Sequence, residues 1–408
     1  MADPADTVER IARTLADPDR ALSDLGPSTA STLSHGLPGT ALLLAALSPA
    51  DRSFARAAEH HWNTAAGLLT GAAADGIHSG PGALAASLII GSSYLPRTPS
   101  TALDQAVSWL AARAQGLARH QQHRLASGRT GTPWGVYDTV KGLSGIGRVL
   151  LAAHQRGHRT ATPGLTAALT TLTNMINTPD GPLPGWWLPA ADHRLPLACE
   201  LPASGAATTG IAHGIAGPLA LLSLATTAGR TVPGQHDAIT TAAHWLLHWS
   251  APDSSTPAHL SGTDLLHTPD PDRLTGAPGR RHAWCYGAAG IGTALTHAGH
   301  ALRQTALLRA GRAAFTLIAE QPPGRWDTDG HGLCHGAAGV LQAARRARHS
   351  ALEQQAAALL RQHPVPQDNP GGIGFLNGTT GTALALAEAH GLLPTPDHTT
   401  WDALLLLN

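Results

Sequence analysis

Ala212-His213-Gly214-Ile215-Ala216-Gly217-Pro218-Leu219-Ala220-Leu221-Leu222-Ser223-Leu224-Ala225 is the stretch whose reading decides the fold. A polar residue stands before Gly-x-x-Gly, and a run that is apolar on nearly every side follows it. Such a run suits a helix buried all round. Glycine at both ends of the short turn suits a tight entry into that helix where two backbones come close. The same unit recurs as His35-Gly-Leu-Pro-Gly39, His78-Ser-Gly-Pro-Gly82, Lys141-Gly-Leu-Ser-Gly145, Tyr286-Gly-Ala-Ala-Gly290, His335-Gly-Ala-Ala-Gly339 and Asn377-Gly-Thr-Thr-Gly381, which makes seven copies. Only the second departs, with Ser79 in place of the first glycine.

The closing glycines are 43, 63, 72, 73, 49 and 42 residues apart, so each interval has room for two helices and a loop. Segments between the units, such as 103–119 and 351–362, carry a wider polar face and read as outer helices. Strand signals are nearly absent: aromatic residues are 4% of the chain and no hairpin dipeptide joins alternating segments. A fixed period of helical units calls for a repeat architecture. The expected fold is therefore all-α, an α/α toroid of seven inner and seven outer helices in one domain over residues 1–408. Two proline-rich stretches, 178–210 and 251–279, interrupt the pattern and read as long loop insertions, functional or merely superficial.

The wider composition narrows the function. The 408 residues carry 27 basic and 27 acidic side chains, 43% hydrophobic residues and 13% charged ones, as a packed globular chain does. Lys141 is the single lysine, and the arginines are scattered without a cluster, which argues against a nucleic-acid partner. No apolar run approaches the roughly 18 residues needed to span a bilayer. The amino-terminal residues, with Asp3, Asp6, Glu9, Arg10 and Arg13, lack the basic start and apolar run of a signal peptide. Three cysteines are too few for a disulfide framework, so reduced thiols and a cytoplasmic location are expected.

In a closed ring of repeats, equivalent positions sit at equivalent heights. The residue before each Gly-x-x-Gly is His35, His78, Lys141, His213, Tyr286, His335 or Asn377, all able to hydrogen-bond, which predicts a polar mouth. One position earlier, Cys285 and Cys334 occupy the same slot of successive repeats, with His335 beside Cys334. Two thiolates and one imidazole suit tetrahedral zinc with an open fourth position, the mark of a catalytic ion. The competing account is a pair of buried cysteines packing as small hydrophobes. Cys199 lies in the first proline-rich stretch without a repeat partner and reads as an incidental thiol.

Taken together, the seven units, Trp284-Cys285-Tyr286-Gly287, Cys334-His335-Gly336 and Ala212-His213-Gly214 resemble the lanthionine synthetase C-like cyclases, over essentially the whole chain. The resemblance is strongest to stand-alone cyclases of class I lanthipeptide biosynthesis. It implies an α-toroid with one Zn2+ held by Cys285, Cys334 and His335. It also implies an active-site histidine at His213, an aspartate at Asp138, an arginine at Arg281 and a tyrosine at Tyr286. Two positions depart from the pattern: Lys141 and His282 stand where such relatives carry acids. His35 and His78 share the slot of His213, yet nothing else in the sequence singles them out.

The implied reaction is intramolecular Michael-type addition of a peptide cysteine thiolate to dehydroalanine or dehydrobutyrine, giving a lanthionine or methyllanthionine ring. A cation would favour the thiolate. Arg281 or helix N-termini would stabilise the enolate oxygen, and His213 would return a proton to the α-carbon. Asp138 would hold His213 or Arg281, and Tyr286 would orient substrate or share in proton transfer. The implied partner is a dehydrated precursor peptide, leader and core, together with a dehydratase and an exporter. Two alternatives stay open: addition of a glutathione-type thiol to a dehydrated peptide, and a non-catalytic zinc-binding peptide scaffold. A carbohydrate-active toroid would need paired carboxylates at its mouth, where the repeated slot has none.

Overall fold

A computed structural model describes residues 4–23, 25–70, 72, 75–96, 100–179, 181–192, 204–251, 256–266, 282–326, 328–363, 372–394 and 399–408. Cys199 and Arg281 lie outside the described residues, as do most of the second proline-rich stretch and part of the first. The chain forms two compact units. One comprises residues 1–111, 149–162 and 328–408, and the other residues 112–148 and 163–327. No helix among the described residues is long and apolar enough to cross a membrane.

Each Gly-x-x-Gly opens a helix, as its sequence dictates. These helices are Leu37–Leu47, Gly80–Gly91, Leu143–Gln155, Ala216–Thr227, Ala288–Leu302, Ala337–Arg346 and Thr379–Ala389. Every residue of Leu37–Leu47 is buried, which explains why the run shows no polar face. Burying Leu42, Leu43 and Leu44 contributes about 1.5–3 kcal/mol each relative to exposure. Among the described residues, six helices with one polar face alternate with them: Ser53–Gly67, Ser100–Ala126, Thr162–Asn177, Gln235–His248, Thr305–Ala319 and Ser350–Gln362. A seventh, Pro4–Thr14, comes from the amino terminus and packs against the last buried helix, Thr379–Ala389.

The closing glycine has a steric reason. A Cβ on Gly39 would lie 2.7 Å from the carbonyl oxygen of Leu33, and one on Gly217 2.8 Å from that of Ile211. In both, the obstructing carbonyl belongs to the residue six positions earlier, where the loop doubles back over the start of the helix. Gly82, Gly290 and Gly381 meet the same obstacle, from Gly76, Trp284 and Phe375. Any side chain there would push the loop off its helix.

Within each unit those loops bond to one another from repeat to repeat, at the polar slot or one or two residues before it. In the second unit, Thr139 N donates to Ala212 O at 3.0 Å and Ala212 N to Cys285 O at 3.2 Å. In the first unit, Cys334 N donates to Leu376 O at 2.9 Å, Leu376 N to Ser34 O at 3.4 Å and Leu33 N to His78 O at 3.0 Å. The seventh repeat thus bonds to the first. Equivalent positions are in register because the main chain pins them together.

One departure from the all-helical expectation appears at the insertions. Strand β1, Ala206–Thr208, pairs antiparallel with β2, His259–Ser261, and Leu188 bridges to Ala206. Trp186 and Trp187 of the first insertion are buried. The described parts of the two proline-rich stretches are therefore tied to each other, an association that no local pattern in either could announce.

Candidate metal centre and proton-transfer site

Asp138 sits just after the short helix Trp134–Tyr137 and caps the turn that follows. Its Oδ1 accepts the backbone N–H of Lys141 at 2.6 Å and of Gly142 at 2.9 Å, a local closure typical of aspartate. The same turn is tied to the next repeat: Thr139 Oγ1 donates to Ile211 O at 2.5 Å, beside the Thr139 to Ala212 backbone bond. This double tie brings the carboxylate to the fourth slot, where Asp138 Oδ2 and His213 Nδ1 are 2.6 Å apart.

Asp138 is fully buried, whereas the side chain of His213 is 25% exposed. Oδ2 can only accept, so Nδ1 carries the proton and Nε2 is the nitrogen left for an outside group. Among the described residues, Nε2 makes no bond of its own. Trp134 stacks on the imidazole with ring centroids 5.0 Å apart at 24°, and Tyr286 lies at 6.3 Å, tilted 37°. The main chain is held as well: His213 O accepts from Thr208 Oγ1 at 2.7 Å and Tyr137 Oη at 3.1 Å. Burial pushes the Tyr137 phenol above its usual range, so it stays a neutral donor. Neither Trp134 nor Thr208 was indicated by the sequence reading. Their one signal is the run Trp134-Gly-Val-Tyr-Asp138, which puts a buried aromatic one helical turn ahead of the aspartate.

Cys285, Cys334 and His335 each offer one ligand atom, and these atoms lie within 4.8 Å of one another. Neither cysteine is in a disulfide. Tetrahedral zinc with Zn–S bonds of about 2.3 Å separates its sulfurs by about 3.8 Å, so this donor set fits such an ion. Cys285 is buried, and Cys334 and His335 are half-buried.

The remaining slot residues differ among themselves. His78 is buried, with Nδ1 at 3.1 Å from Ser34 Oγ, and His35 is exposed. Lys141, Tyr286 and Asn377 are half-buried. His282, one of the two departures from the family pattern, is buried, and its N–H donates to Trp326 O at 3.2 Å. The sequence-predicted Arg281 beside it has no described position.

No curated protein matches the sequence. Thirteen chains of solved structures match the fold, among them one titled nisin cyclase, at a TM-score of 0.81 and 20% identity, covering 99% of this chain and 97% of that one. That likeness carries the α/α-toroid fold class expected from the repeats. The model of the lanthionine synthetase C-like proteins matches residues 27–392, a stretch holding all seven Gly-x-x-Gly units and the cysteine and histidine motifs. By that match, the chain belongs to the lanthionine synthetase C-like family.

Proposed function

We propose that this chain is a zinc-dependent lanthipeptide cyclase, acting as one catalytic domain on a dehydrated precursor peptide in the cytoplasm. It would close lanthionine and methyllanthionine rings by adding a cysteine thiolate to a dehydroalanine or dehydrobutyrine of the same peptide. A dehydratase supplying the alkene and an exporter removing the product are the partners this chemistry calls for. The observation that carries the reading is the approach of two thiols and an imidazole within 4.8 Å of one another, in a chain whose family is named for lanthionine synthesis.

Cys285, Cys334 and His335 would hold the ion, leaving one tetrahedral corner for the peptide sulfur. When bound, zinc favours the thiolate over the thiol near neutral pH. The chain's own groups supply the rest. As sulfur bonds to the β-carbon, the alkene π electrons move to the α-carbon and its carbonyl oxygen. Arg281, assigned from its resemblance to the family's arginine, would stabilise that oxygen. His213 would deliver a proton from Nε2 to the α-carbon, while Asp138 accepts from Nδ1 and steadies the ring through the transfer. Tyr286, tilted against His213, would orient the peptide. The thiol proton lost and the carbon proton gained balance, so the product is an isomer of the substrate.

The test is incubation of the zinc-loaded protein with a dehydrated precursor peptide, followed by alkylation of residual thiols. Ring closure removes alkylation sites without changing the peptide mass. Cys285→Ala and His335→Ala are expected to lose both zinc and turnover. Full turnover by metal-free Cys285→Ala protein would refute the reading, and a glutathione adduct on the peptide would reassign the nucleophile.

A further inference from the structure

Trp134, Thr208 and His213 form a linked set that the ring-closing chemistry does not itself require. The indole covers one face of the His213 imidazole at 5.0 Å and 24°. Its Nε1–H donates to Thr208 Oγ1 at 3.2 Å, and that hydroxyl donates its own proton to His213 O at 2.7 Å. A threonine hydroxyl has one proton and two lone pairs, so both bonds are satisfied together. Thr208 itself is fixed in β1, paired with His259 of β2.

A single bond from Nδ1 to Asp138 fixes one edge of the imidazole but leaves the ring free to tilt about that bond. Restraint against tilting needs a flat surface on one face, held at its own far edge. Trp134 meets both conditions, being 8% exposed and pinned through Nε1. Tyr286, at 6.3 Å and 37°, is neither close nor parallel enough to do so. A branched aliphatic side chain would keep apolar contact at that position without supplying the plane or the donor.

We propose that Trp134, locked by Thr208, is a positioning residue that holds the His213 ring with Nε2 turned outward. The proposal rests on His213 acting as the proton donor described above. Orientation errors of about 1 Å in a reacting group can cost about 100-fold in rate. Loss of the indole plane therefore falls on the proton-transfer step and leaves peptide binding alone.

The experiment uses the zinc-loaded full chain and two readouts. In steady-state cyclisation of a dehydrated peptide, Trp134→Leu is expected to lower kcat at least about tenfold with KM within about twofold. Trp134→Phe keeps a plane but loses the donor, and should lower kcat by only about threefold. The second readout needs no substrate: in protein labelled with 15N-histidine, the His213 resonances are identified by their loss in His213→Asn. Wild type should show one tautomer with a slowly exchanging Nδ1–H, and Trp134→Leu should show tautomer averaging and faster exchange. Thr208→Val should move both readouts in the same direction, and it carries the test together with Trp134→Phe should Trp134→Leu not fold. Wild-type kcat in Trp134→Leu, a raised KM at unchanged kcat, or a lowered kcat with unaltered His213 resonances would each overturn the proposal. If wild type closes no rings, the functional reading fails, and the nitrogen spectra alone still decide whether Trp134 orients His213.

Discussion

Asp138 and Asp402 are both fully buried carboxylates, one in each compact unit, and they differ in where their hydrogen-bonded partners lead. Asp402 is bound by Arg346 through Nε at 2.5 Å and Nη2 at 3.0 Å, and by Gln342 Nε2 at 2.8 Å. Glu388 joins from the other side, accepting from Arg346 Nη2 at 2.6 Å and from Trp401 Nε1 at 2.7 Å. Burial works to raise the Asp402 carboxyl, but Arg346 outweighs it and holds it below the usual range. Glu388 is pushed up by burial and by Asp402 beside it. Each of these donors is spent on a partner within the packed unit. Asp138, in contrast, is bonded to an imidazole whose other nitrogen makes no bond among the described residues. A buried charge with all partners inward serves architecture, and one whose chain of bonds ends at an open atom serves chemistry.

That contrast breaks most sharply at His213. His213→Asn is expected to lower kcat by about 10²–10⁴-fold, the usual span for a lost acid or base, while leaving thermal unfolding nearly unchanged. If stability falls in step with turnover, measured by calorimetry beside the cyclisation assay, the pair belongs with the architectural group. The converse holds for Arg346→Met, which strands Asp402 and Glu388 without their cation. A cost of about 3–5 kcal/mol in urea unfolding is expected, with turnover per folded molecule preserved. An equal loss of turnover would dissolve the distinction.

A third buried group refines the comparison. His61 is wholly enclosed, with Nδ1 at 2.7 Å from Thr40 Oγ1, so it shares the ring chemistry of His213 and the inward partners of Asp402. Burial lowers its pKa to about 4. In the unfolded chain it would take up a proton near pH 6.5, so its contribution is fully present above that value and is lost as pH falls towards 4. Up to about 3 kcal/mol of acid sensitivity follows from the linkage. Urea unfolding at pH 7 and 4.5 should show a shallower decline for His61→Gln than for wild type; equal declines would remove His61 from the account.

Register in the sequence is what singled out the candidate ligands. Cys285 and Cys334 share a slot, and the backbone bonds from Ala212 to Cys285 and from Cys334 to Leu376 show why slots correspond. The buried helices announced themselves because a run such as Leu37–Leu47 has no polar face to confuse its reading. What stayed hidden depends on partners without periodicity. Gln342, Arg346 and Glu388 read singly as polar positions on helices, and only the packed unit brings them to Asp402. Trp134 looked like one more core aromatic, since no pattern links it to a histidine 79 positions later. The pairing of β1 with β2 escaped for the same reason: three-residue strands carry too little alternation to be read.

Leu33 and Ser34 accept backbone bonds from Phe375 and Leu376, and the amino-terminal helix Pro4–Thr14 rests on Thr379–Ala389. Segments some 340 positions apart along the chain are therefore each other's neighbours. Thr379–Ala389 covers both Pro4–Thr14 and the wholly buried Leu37–Leu47, so their burial waits on a contact of very long sequence separation, a slow step in folding.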